Sequence, residues 1–170
     1  WKWIPLVRYN TGLILLEDNG TPADSNDDNV TYRADWLDQN NQSIKPSNIY
    51  SIAQDYEHTI WVGTSSGIFA IPSSVDFTVS NKCVRVVIWR NDGSGLGDYL
   101  LDNEQINAIA VDGANRLWVG TANSGLYLLN PIGSITDASS YTMATVAHFT
   151  TNNSNLPTNE TMSISIQEST

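Results

Sequence analysis

Gly63-Thr64-Ser65-Ser66-Gly67 has the Gly-x-Ser-x-Gly spacing with which hydrolases hold a serine nucleophile on a sharp turn. That chemistry needs a strand running into a helix, and the flanking residues, Ile60-Trp61-Val62 before and Ile68-Phe69-Ala70-Ile71 after, read as two strands. Gly93, Gly95 and Gly97 suggest a phosphate-binding loop, but Asp98 stands where the dinucleotide spacing requires glycine, and an acidic loop repels phosphate. His58 and His148 are the two histidines, and neither has a histidine or glutamate nearby at metal-ligand spacing. The acidic and amide-rich stretches, Asp18-Asn19-Gly20, Asp24 to Asn29, and Asp92, Asp98, Asp102 and Glu104, supply oxygens of the kind calcium takes. None has the order of a calcium loop, and turn formation accounts for them. Cys83, the single cysteine, lies in the apolar run Cys83 to Trp89 and reads as packing. Tyr56, in a polar turn, and Tyr99, in a glycine-rich insertion, are the candidates for ligand contact, because an aromatic ring on a loop can stack on a sugar or anchor a protein partner.

These residues are positioned by an internal repeat. Ile49, Ile52, Ala53, Asp55, Trp61, Val62, Gly63 and Thr64 recur fifty-seven residues later as Ile106, Ile109, Ala110, Asp112, Trp118, Val119, Gly120 and Thr121. After one inserted residue the match resumes, Gly67-Ile68-Phe69-Ala70-Ile71 answering Gly125-Leu126-Tyr127-Leu128-Leu129. The comparison removes the serine nucleophile, because Ser65 falls on Ala122 in the second copy. Two incomplete copies flank the full ones. Trp3-Ile4 with Gly12 to Leu16 reads as the second half of a unit, and Thr161 to Gln167 as the first half of another. A period of this length denotes a blade, a solenoid turn or an array unit.

Each unit reads as four strands. Ile49–Gln54 and Ile106–Val111 end at Asp55 and Asp112, which open a hairpin turn into the tryptophan strand, and Gly67 or Gly125 then permits a tight turn into a third. Asn29 to Leu37, Cys83 to Trp89 and Thr142 to Thr150 are the expected outer strands. Four antiparallel strands per repeat, with no helical periodicity, predict an all-β propeller of about three blade-equivalents. The units run over residues 1–37 in part, 48–90, 104–150, and 161–170 as the start of another. Trp61 and Trp118 are expected to be buried between blades. Closed propellers have about 4 to 8 blades, so the reading expects an excerpt of a longer propeller or pairing with a second copy.

The pattern Ile-x-x-Ile-x-x-Asp, a polar turn, apolar-Trp-Val-Gly-Thr and Gly-apolar resembles the two-component-regulator propeller repeat, and Asn91 to Asp102 resembles PorZ-like propellers associated with type IX secretion. The resemblance implies the periplasmic sensor propellers of Bacteroidetes hybrid histidine kinases or a cell-surface, secretion-associated scaffold. It implies a non-catalytic, extracytoplasmic recognition module without cofactor or metal, whose partner is a saccharide or a protein at a propeller face. Eighteen acidic against eight basic side chains, a formal charge of −10, argue against nucleic acid and anionic lipid as partners. The longest apolar runs, Leu13 to Leu16 and Val86 to Trp89, are far too short to insert into a membrane as a helix. The chain opens at Trp1 without a leader, so a signal peptide is expected to have been removed or to lie outside this stretch.

Overall fold

Successive side chains of a strand point to opposite faces, so a near-continuous apolar run gives a sheet two apolar faces for neighbouring sheets to cover, and the middle repeat of this chain, buried throughout Ile60–Thr64 and Gly67–Ile71, is built that way. The computed structural model describes residues 1–7, 11–90, 92–135 and 142–167, apart from the Trp89 side chain. Asn91 and the parts of the repeat units at 8–10, 136–141 and 168–170 lie outside the described residues.

Fourteen strands are described, all in antiparallel ladders. The first sheet joins β1 (Lys2–Leu6), β2 (Gly12–Glu17) and β3 (Asn29–Arg33) in that order. The second joins β6 (Ile49–Gln54), β7 (Ile60–Thr64) and β8 (Gly67–Ile71), and the third joins β11 (Ile106–Val111), β12 (Leu117–Thr121), β13 (Leu126–Ile132) and β14 (Thr142–Phe149). Two small hairpins fill the connections, β4 (Trp36–Leu37) with β5 (Ser43–Ile44) and β9 (Val87–Trp89) with β10 (Gly97–Tyr99). Sheet meanders standing side by side, with no helix among the described residues, form the blades of a β-propeller.

Each neighbouring pair of sheets encloses one core. Trp3, Leu13 and Leu15 of the first sheet meet Ile60, Val62, Phe69 and Ile71 of the second. Trp61, Ile68 and Ala70, on the opposite side of the second sheet, meet Leu117, Val119 and Leu129 of the third. Ladder register makes Trp3, Trp61 and Trp118 equivalent, since they oppose Leu15, Ala70 and Leu128 respectively.

Three expectations are corrected. The outer strand over 29–37 stops at Arg33, and Trp36–Leu37 forms a separate hairpin that tucks Trp36 against Phe69 and Phe77. In the second sheet the outer strand over 83–89 is reduced to a bridge between Ala70 and Val84. The parallel bridge Leu37 to Lys82 brings the β4–β5 hairpin onto that edge, and Val87–Trp89 turns away to pair with β10. Residues 161–167 form no ladder among the described residues, their backbone tie to the third sheet being the Thr161 N–H to Thr121 carbonyl bond of 2.9 Å. They nevertheless lie against β12 as β11 lies against β7. A Cβ on Gly63 would meet Ile106 Cγ2 at 2.7 Å, and one on Gly120 would meet Thr161 Cγ2 at 2.6 Å.

Candidate functional site

The shared motif residues have assignable structural work. Asp55 Oδ1 accepts the N–H groups of Glu57 and Thr59 at 2.9 and 2.8 Å, and Oδ2 accepts the indole N–H of Trp61 at 2.8 Å. Asp112 repeats this with the N–H groups of Ala114 and Arg116, both at 3.0 Å, and the Trp118 indole at 3.1 Å. Its Oδ2 also accepts Arg116 Nε–H at 2.9 Å. Burial drives the Asp112 carboxyl upward, but these donors outweigh it and hold the group down at about 2. Thr64 and Thr121 donate their hydroxyls to the carbonyls of Gly67 and Gly125, closing the next turn, where both glycines take positive φ.

A third copy of the aspartate turn is present that the sequence comparison did not reveal. Asp38 Oδ1 accepts the N–H groups of Asn40 and Gln42 at 2.8 and 2.9 Å, and Asn41, His58 and Asn115 take positive φ at the same place in the three turns. Ile44 stands where the other copies have tryptophan, and Asp38 Oδ2 is buried without a hydrogen-bond partner. Cys83 is buried, and its thiol is pushed up to about 12 by that burial and by the negative charge of Asp38.

The residues considered for chemistry do not converge. Ser65 shares a hydrogen bond of 2.8 Å with Ser47 Oγ on a strand-to-strand turn. His148 stacks on Tyr127 with centroids 3.9 Å apart and donates from Nε2 to the Ser124 carbonyl. His58 sits in the β6–β7 turn beside Gln54. Among the described residues, no group of three or more His, Cys, Asp or Glu side chains could hold a metal. Tyr99 is engaged within the molecule: the Arg85 guanidinium lies 3.7 Å from its ring centroid, and Asn40 Nδ2 reaches its hydroxyl at 3.4 Å. Tyr56 is 58% exposed, and its backbone N–H donates to Asn115 Oδ1, which ties its turn to the equivalent turn of the next blade.

A cleft of about 490 Å³ opens beside the Tyr56 turn, between the first and second sheets. Trp1, Trp3 and Phe77 provide aromatic wall, and Gln54, His58 and Asp76 provide polar groups. Trp3 and Phe77 pack with centroids 5.6 Å apart, which fixes the inner part of the wall, whereas Trp1 is largely exposed. Asp76 is turned by its own loop, accepting the N–H and hydroxyl of Thr78, and these bonds hold its carboxyl below the ordinary value. The sequence reading missed Trp1, Trp3 and Asp76 as site residues. They come from two different blades, and no spacing rule links residues 1–3 to 76.

Three blade sheets, two of them closed by the same aspartate–tryptophan latch, define a β-propeller module. The family model described as "two component regulator propeller" matches twice, at residues 43–66 and 100–123, so the chain carries two such repeats. The chain is also similar in structure to PorZ, described as an essential bacterial surface component of the type IX secretion system of Porphyromonas gingivalis. The TM-score is 0.74 at 28% identity over 93% of this chain, which spans about 20% of that protein's length. No curated protein matches the chain significantly.

Proposed function

We propose that the chain is a non-catalytic, extracytoplasmic recognition segment of a cell-surface propeller protein, and that it takes a saccharide in the cleft between its first two blades. The cleft carries this reading. Indole faces stack on the C–H faces of a pyranose ring, and the carboxylate, amide and imidazole at the rim match its hydroxyls. Similarity to a bacterial surface component across 93% of the chain supports a surface role. Sensing for a histidine kinase is the second reading, supported by the two regulator-type repeats, and a protein partner is the alternative occupant of the same cleft.

Titrating the chain with solubilised cell-surface polysaccharide while following tryptophan fluorescence tests the proposal. Saturable quenching is expected, with at least a tenfold loss of affinity in Trp1→Ala and Asp76→Ala. Unchanged binding in both variants, or no binding to any polysaccharide fraction, overturns the saccharide assignment. A tagged chain inaccessible to protease on intact source cells overturns the surface assignment.

A further inference from the structure

The cleft between the first two sheets carries fixed charge of one sign. Among the described residues that line it, Asp76 is the one carboxylate and none is lysine or arginine. Arg33 reaches the same loop from the first sheet but lies outside the cleft lining, and its guanidinium is committed to backbone: Nε donates to the Phe77 carbonyl at 3.2 Å and Nη2 to the Thr78 carbonyl. These bonds tie the Asp76 loop to the first sheet, so the carboxylate is held where the two blades meet.

One oxygen of that carboxylate is used and the other is free. Asp76 Oδ1 accepts the backbone N–H of Thr78 at 3.0 Å and its hydroxyl at 2.6 Å, an Asx turn that fixes the direction of the group. Oδ2 takes no part in the turn, and the residue is exposed. The same two donors hold the carboxyl below its ordinary value, which keeps it charged in mildly acidic solution. Next to it in the chain, Phe77 packs on the half-buried Trp3 ring, so an anionic oxygen and an aromatic wall stand side by side.

We propose that this cleft selects a saccharide bearing a free amino group, its ammonium paired with Asp76 Oδ2 and its ring against Trp3. The inference rests on the saccharide reading of the cleft and adds the class of saccharide. An acetamido sugar would keep the ring contact and lose the ion pair. A uronic acid would bring a second carboxylate against Asp76, with no lysine or arginine among the described lining residues to receive it. An ion pair at an exposed carboxylate changes affinity by about fivefold at most, so the preference is a modest one that salt weakens.

Calorimetric titration of the chain in mildly acidic buffer tests it, with three probes: a chitosan oligosaccharide, its fully N-acetylated counterpart and an oligogalacturonate. The chitosan probe should bind about fivefold tighter than the N-acetylated one, and the oligogalacturonate most weakly of the three. Asp76→Asn retains the Oδ1 acceptor of the Asx turn and removes only the charge, and far-UV circular dichroism confirms that it is folded. This variant should bind the N-acetylated probe as the parent does and lose the advantage of the amine. Because a chain of net charge −10 attracts any polycation, Glu57→Gln, an exposed position outside the cleft lining, is the control and should leave the advantage intact. Equal or tighter binding of the N-acetylated probe overturns the amino-group preference and leaves the saccharide reading standing. An advantage that survives Asp76→Asn, or that falls equally in Glu57→Gln, also overturns it. Binding of none of the three probes removes the saccharide reading and this inference together.

Discussion

Asp112 carries more free energy than its place in a surface turn suggests. Two backbone N–H groups, an indole and a guanidinium converge on one carboxylate that is almost wholly buried. With the folded group at about 2 and the ordinary value at 3.8, its contribution is present above about pH 4 and is lost as the pH falls through 2. The contribution is about 1 to 2 kcal/mol once screening at the half-exposed Arg116 is allowed for. Denaturant titrations between pH 2 and pH 7 should therefore show the parent protein losing stability below pH 4. Asp112→Asn should be weaker at pH 7 and flatter in that acid window, and an unchanged acid slope would remove Asp112 from the account. Asp38 shows what the aspartate turn loses without its donor, since Ile44 leaves one carboxylate oxygen buried and bare.

Strands in this molecule are set by the turn chemistry, and their stability is set by the sheet that covers them. Trp61 and Trp118 make the same indole bond and hold the same register, yet Trp61 lies under the third sheet whereas Trp118 stacks on Phe149 beside Leu126 and Leu156. Equal burial was the expectation from the repeat, but Trp61 is fully buried in the core it shares with the third sheet and Trp118 is half-buried. Trp61→Ala should cost about 3 to 5 kcal/mol and Trp118→Ala about 1 to 3, measured by urea denaturation. Equal losses would contradict this reading. The glycines next to these tryptophans fix how closely blades approach, for a Cβ at Gly63 or Gly120 has no room against the following segment.

The whole molecule behaves as one body because the second sheet belongs to both cores, Val62 and Phe69 on one side and Trp61 and Ala70 on the other. The β4–β5 hairpin adds a further tie, with Gln39 exchanging two hydrogen bonds with the backbone of Arg85. Unfolding should be a single transition, with near-UV and far-UV circular dichroism melting together at one midpoint. Separate midpoints for tertiary and secondary signals would show that the blades unfold independently.

The amino-acid sequence alone determined the all-β class, the repeat length, the tryptophan strand and the aspartate turn, because these rest on local rules: period-two alternation, Asx turn chemistry and glycine at positive φ. The same rules removed Ser65 as a nucleophile by aligning it with Ala122. They could not place Trp1 and Trp3 beside Asp76, or Arg85 over Tyr99, since those contacts join blades through loops whose lengths obey no period. The outer strands were misjudged for the same reason. In the second sheet Val84 bonds to Ala70 of β8 while Asn81 and Cys83 bond to Leu37 of the β4–β5 hairpin, a partnership between segments some forty residues apart. Only the tertiary structure decided which apolar faces meet, because near-continuous apolar runs such as Ile60-Trp61-Val62 make both faces of a blade apolar and cannot say which one a given neighbour covers.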